Sequence, residues 1–167
     1  MDISPRILDI VRQAPNAEEG ARLALEAILE ATHTGSGTVH LMAAGETVMK
    51  LFASKNIPPF VLEKVQLIPV GKGMGGVAVE KRQPVTTCNL QTDDAGGVIR
   101  QGARETGVQG ALAVPMIHGD DAIGALGVAT QMPRDFTRVE IDEILAMGSA
   151  LGRALREKAD QFFTERR

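Results

Sequence analysis

Residues 111–130 read ALAVPMIHGDDAIGALGVAT, and this stretch decides the fold. Two apolar runs, Ala111 to Ile117 and Ala122 to Thr130, flank the turn residues His118-Gly119-Asp120-Asp121. Two such runs around a short polar turn predict paired strands. Both runs are apolar almost throughout, as expected of central strands covered on both faces. Pro115 has no N–H to donate to a ladder, so an edge position or a bulge is expected there.

The flanking segments supply the rest of an α+β domain. Downstream, Thr137-Arg138-Val139-Glu140 forms a capping box. Ile141, Ile144, Leu145, Gly148, Leu151 and Leu155 then hold one helical face for about five turns. Gly148 and Gly152 sit four apart, a smooth strip where another helix can approach. Upstream, Ser4 and Pro5 open a short helix that ends before Pro15. Asn16, with Glu19 three residues on, caps a second helix whose apolar face is Ala21, Leu25, Ile28, Leu29 and Thr32.

Between these helices lie shorter pieces. Thr38 to Ala43 and Thr47 to Ser54 read as strands around a Gly45-Glu46 turn, and Val65 to Val70 as a third. Ile57-Pro58-Pro59-Phe60 is a loop or a turn of helix. A glycine-rich turn, Gly71 to Gly76, leads to a brief helix over Val77 to Lys81. Pro84 to Thr87 is extended. A further helix is expected over Ala95 to Glu105, capped by Thr92 or Asp93 and closed by Gly107. Helices and paired strands in this order predict an antiparallel sheet with helices packed on it.

Composition narrows the function. The chain has 167 residues, a net charge of −3 and one cysteine, Cys88. That length suits one domain. The charge disfavours nucleic-acid binding, which shows a basic patch. No apolar run approaches the roughly 18 residues of a membrane span. Met1 to Arg6 lacks the features of a signal peptide, so cytoplasm is expected. A single cysteine excludes an internal disulfide and a cysteine-cage metal site. Trp and Tyr are absent and Phe occurs five times, so stacking platforms are scarce.

Several segments together resemble the GAF family. Leu51-Phe52-Ala53-Ser54 is similar to the end of its second strand. Val70 to Ala78 resembles its G-x-G-x-x-G-x-A turn into a helix. Leu112 to Met116 with Ala122 to Ala129 resembles its VP and IG-x-L hairpin. Phe136-Thr137 with Glu140 resembles the lead-in to its final helix. The resemblance runs over about residues 17–157 of a single domain spanning 1–167. It implies a six-stranded antiparallel, GAF/profilin-like sheet. Terminal helices, here 4–13 and 137–160, would cover one face, and loops and short helices would form a pocket on the other. It also implies a bacterial-type regulatory domain that binds a small-molecule effector and homodimerises through its terminal helices. Histidine kinase, cyclase or transcription-regulator modules are the partners such a domain would serve. The alternative is an interaction module with no ligand.

Candidate pocket residues follow from that resemblance and from residue chemistry. Asp93 and Asp94 precede the helix expected to lid the pocket. Arg100 and Arg104 lie on it and can grip an oxyanion at two points. Against this stands a plain surface role for all four. His40 sits on a strand, facing a pocket, a haem iron or solvent. Phe60 and Gly75 complete the set. No cofactor is specified, and no histidine pair has metal spacing.

Enzymatic readings are disfavoured. Gly71-x-Gly73-x-x-Gly76 fits a dinucleotide motif, but no parallel βαβ unit surrounds it. One branch of the family reduces free methionine-R-sulfoxide with a cysteine set. It places a cysteine where this chain has Gly75, and acidic residues where this chain has Gly127 and Ala129. No Lys, Arg or His adjoins Cys88 to activate its thiol, so a structural cysteine is expected.

Overall fold

The computed structural model describes residues 1–43, 45–92 and 104–165, and only the backbone of 160–165. The described elements run α1 (Ser4–Gln13), α2 (Ala17–Thr32), β1 (Ser36–Leu41), β2 (Val48–Lys55), α3 (Pro59–Lys64), β3 (Leu67–Pro69), α4 (Gly73–Lys81), β4 (Val85–Thr87), β5 (Ala111–His118), β6 (Asp121–Ala129) and α5 (Arg138–Glu165). The six strands form one sheet in the order β3-β2-β1-β6-β5-β4, each pair antiparallel.

The long apolar hairpin is the centre of this sheet. Ala111 pairs with Ala129 and Val114 with Leu126. The β4 partner reaches only as far as Ala113, and the register shifts between Met116 and Ile117. Pro115 therefore sits where the outer ladder has ended, beside a bulge, and its missing N–H costs little.

One face of the sheet holds the main core. Val39, Leu112, Val114, Met116, Leu126 and Val128 pack against Ile7 and Val11 of α1, Leu25 and Ile28 of α2, and Ile144, Met147, Leu151 and Leu155 of α5. Capping fixes where the helices begin. Asn16 accepts from the Glu19 N–H at 2.8 Å. The Thr137 hydroxyl accepts from the Glu140 N–H at 3.1 Å, and the Glu140 carboxylate accepts from the Thr137 N–H at 3.0 Å. At α1 the acceptor is Asp2 rather than Ser4. Its carboxylate takes the Ser4 N–H at 2.9 Å, which draws Ser4 into the first turn.

The glycine strip on α5 faces inward. A Cβ on Gly152 would lie 2.9 Å from Met116 Cβ, and one on Gly148 would lie 3.1 Å from Val114 Cγ2. These glycines let α5 approach its own sheet, not a partner helix. The small residues are spent inside the domain, because the bulky Met116 and Val114 side chains fill the space above them.

Two segments differ from their sequence reading. The third strand shrinks to three residues, because Pro59 at the first helical position nucleates α3 and Val65 becomes its C-terminal cap. Conversely, α4 begins inside the glycine-rich turn at Gly73. Gly71 supplies the turn with φ of 90°, and a Cβ on Gly76 would lie 2.5 Å from the Pro69 carbonyl oxygen. The motif is thus a tight strand-to-helix junction. The helix expected over Ala95 to Glu105 lies almost wholly outside the described residues.

A cavity floored by small residues

The second face of the sheet is shaped by the pleat. Ser36, Thr38 and His40 alternate on β1, Ala125, Gly127 and Ala129 on β6, and Ala111 and Ala113 on β5. All line one cavity of about 510 Å3. Successive residues point to opposite faces, so each of these lies opposite the core. The floor is low because six of the eight are Gly, Ala or Ser. A volume of this order suits a small organic molecule.

The walls come from the short elements. Val61, Lys64 and Val65 line it from α3, Ile68 from β3, and Lys72 to Gly75 from the start of α4. Ile57, Leu90, Thr106 and Val108 add to the described lining. A Cβ on Gly75 would meet only Ala125 Cβ, at 3.5 Å. That position is open, unlike Gly76 one residue on.

His40 joins floor to wall. Its ring is 3% exposed, and Nε2 donates to the Val65 carbonyl oxygen at 2.8 Å. A carbonyl only accepts, so the proton sits on Nε2. Burial pushes the pKa of His40 below the ordinary histidine value, and the Val65 bond offsets this in part. The ring is thus neutral at pH 7, with Nδ1 an acceptor that has no hydrogen-bond partner among the described residues. Ser36, 1% exposed, has a buried hydroxyl with no partner among the described residues.

Two lysines line the cavity, Lys64 on α3 and Lys72 before α4. Lys64 pairs with Glu105 at 2.6 Å. Lys72 has no ion pair among the described residues and gives no side-chain cap to α4. Its own N–H donates to the Pro69 carbonyl oxygen, and the first N–H inside the helix to find an acceptor is that of Gly76, bonded to the Lys72 carbonyl. The N–H groups of Gly73, Met74 and Gly75 are the unpaired donors of the first turn. No aspartate or glutamate lines the cavity among the described residues.

Of the seven expected site residues, His40 and Gly75 line this cavity. Phe60 does not. It is 53% exposed, because α3 turns Val61 inward and leaves its neighbour on the outside. Arg104 is also outside the described lining, with Nη1 3.4 Å from the Gln91 carbonyl oxygen. Asp93, Asp94 and Arg100 lie outside the described residues. Ser36 and Lys72 were missed. The alternation of Thr38 and His40, carried back two residues, would have found Ser36. A single lysine in a glycine-rich turn carries no comparable signal.

The positions important to the reductase resemblance converge here too. Gly75, Gly127 and Ala129 all line the cavity, while half-buried Cys88 does not. The Cys88 carbonyl accepts from the Arg134 N–H at 3.0 Å.

A six-stranded antiparallel sheet, with terminal helices on one face and a small-residue cavity on the other, is a GAF-type α+β fold. The family model of the GAF domain matches residues 14–156, and the chain belongs to that family. No curated protein matches. Among solved structures, the chain is similar to the GAF domain of a phosphoenolpyruvate-protein phosphotransferase from Coxiella burnetii. That pair has a TM-score of 0.78 and 18% identity, covering 95% of this chain and 94% of that one. It is also similar to a free methionine-R-sulfoxide reductase from Neisseria meningitidis in complex with its substrate. There the TM-score is 0.75 and identity 14%, covering 95% and 89%. The GAF domain of an Acinetobacter phosphoenolpyruvate-protein phosphotransferase gives 0.74 and 17%, covering 92% and 90%. At these identities the likeness concerns the fold. No described helix is long and apolar enough to cross a membrane.

Proposed function

We propose that this chain is a non-catalytic sensory domain that binds a small organic molecule in the cavity above β1, β6 and β5. The observation that carries this reading is the floor itself. Ala111, Ala113, Ala125, Gly127 and Ala129 leave about 510 Å3 where ordinary core residues would have filled the space. An open concavity of this size, lined mainly by apolar residues, is the kind of site that takes a small ligand. The solved structures it resembles include the GAF domain of a phosphotransferase and a reductase in complex with its substrate. Glycine at 75 in place of that branch's cysteine, and Gly127 and Ala129 in place of its acidic pair, favour binding over turnover.

Occupancy would be transmitted through the terminal helices, by differential affinity for two packings of α1 and α5 on the sheet. A homodimer through exposed surfaces of those helices is part of the same proposal. The Gly148 and Gly152 strip takes no part in it.

Native mass spectrometry of the purified protein, with a thermal-shift screen of small anions and amino acids, tests the reading. A mass lost on denaturation, or a compound that raises the melting temperature, is expected. A bare chain that no compound stabilises would contradict it. Because the chain has no Trp or Tyr, any strong absorbance near 280 nm would itself report a bound molecule.

A further inference from the structure

Resting on that reading of the cavity, the side chains also specify what kind of molecule fits. We infer that the ligand is a small, largely apolar acid that also carries a neutral O–H or N–H donor. Its carboxylate would meet Lys72 and the open turn of α4, and its donor would meet Nδ1 of His40.

Two independent features carry this. First, the wall at α4 carries the positive charge of Lys72. Lys72 has no ion pair among the described residues, and Gly73, Met74 and Gly75 line the cavity with unpaired N–H groups behind them. A helix start and an adjacent cation together favour an anion. Second, the Val65 bond fixes the tautomer of His40. Its free nitrogen can only accept, so it selects a donor.

The same features exclude other classes. An ammonium ligand would find Lys64 and Lys72 and no acidic side chain among the described lining residues. A purely apolar ligand would leave Nδ1 of His40 without a donor.

Matched compounds test this by ligand-observed NMR and calorimetry on the whole chain. One series is 4-hydroxyphenylacetate, phenylacetate, 4-hydroxyphenylacetamide and tyramine. A second is 6-hydroxyhexanoate, hexanoate, 6-hydroxyhexanamide and 6-aminohexanol. In each series the hydroxy acid is expected to bind at least about tenfold tighter than its amide, the scale of one charge-assisted hydrogen bond. Lys72→Met should abolish that preference. His40→Phe should abolish the preference for the hydroxyl. Should His40→Phe fail to fold, the wild-type 15N histidine spectrum gives the same answer, because the Nδ1 signal of His40 must shift when the hydroxy acid binds and not when the plain acid does.

Amides or amines that bind as well as the acids would overturn the inference. If they do so in the wild type but not in Gly75→Leu, the ligand cavity stands and only its proposed chemistry falls. If no member of either series binds, both fall.

Discussion

Nε2 of His40 donates to the carbonyl oxygen of Val65 at 2.8 Å, so one buried ring fastens the floor strand β1 to the end of α3. This bond makes stability depend on pH. The folded-state pKa of His40 is lowered, chiefly by burial. The unfolded chain should titrate near the ordinary value of about 6.5. Between the two, the unfolded state binds more protons, so stability rises with pH. The contribution is complete above about pH 6.5 and is lost as pH falls toward the folded value. Urea denaturation at pH 7.5, 6.5 and 5.5 should show a declining midpoint in the wild type. In His40→Gln that slope should flatten, with lower stability at pH 7.5. An unchanged slope would mean that His40 is not the group responsible.

The α5 glycines should respond as core positions. Adding a methyl group at Gly152 would push on Met116 and Ile123, which lie 2.9 and 3.2 Å from the new atom. Overpacking of this kind typically costs about 1–3 kcal/mol. Gly152→Ala should lower the chemical-denaturation midpoint accordingly. A variant that keeps its stability but changes its oligomeric state in sedimentation would instead place Gly152 at an interface between chains.

Arg134 should act as a clamp. One guanidinium nitrogen donates to the Thr32 and His33 carbonyl oxygens at 2.9 and 3.1 Å, and the other pairs with Glu140. The group also stacks on Phe136, 4.4 Å from the ring centroid. It thus joins the end of α2 to the start of α5. Arg134→Met should cost about 1–3 kcal/mol by leaving the α2 carbonyls unsatisfied. The Glu140 carboxyl is held below its usual pKa, first by the Thr137 N–H and next by Arg134. That contribution is present above the unfolded value and lost as pH falls through the folded one. Glu140→Gln should therefore be less stable than the wild type at pH 7, with the difference shrinking toward pH 3. A difference that persists at pH 3 would contradict this.

Much of the fold was legible because periodicity and capping are local. The β5–β6 hairpin, the Asn16 and Thr137 caps and the apolar faces of α2 and α5 are each written within a few residues. The errors came from ambiguous residues. Val65 to Val70 is β-rich, but Pro59 starts a helix that uses up its first residue. Gly148 and Gly152 mark a close approach without saying to what, and the answer was the domain's own sheet. At the cavity, the sequence points to His40 through its place on a strand and to Gly75 through its match to the family's cysteine position. Ser36 was hidden in a Gly-Ser-Gly run that reads as a loop. Lys72 looked like any turn lysine, because the unpaired turn of α4 beside it is a property of the fold. Phe60, a candidate pocket residue, is turned outward by the phase of α3.

The central claim is that the small-residue cavity is a ligand site, and Gly75→Leu tests it most directly. A Cβ at this position meets only Ala125, at 3.5 Å, so a larger side chain can enter the cavity. Leucine is also the better helix former, by up to about 1 kcal/mol. The variant should therefore keep or raise its melting temperature while its cavity is filled. A thermal-shift screen by far-ultraviolet circular dichroism, run on both proteins with the same compounds, gives the result. The account predicts that compounds stabilising the wild type leave Gly75→Leu unmoved. Compounds that stabilise both proteins equally would contradict it.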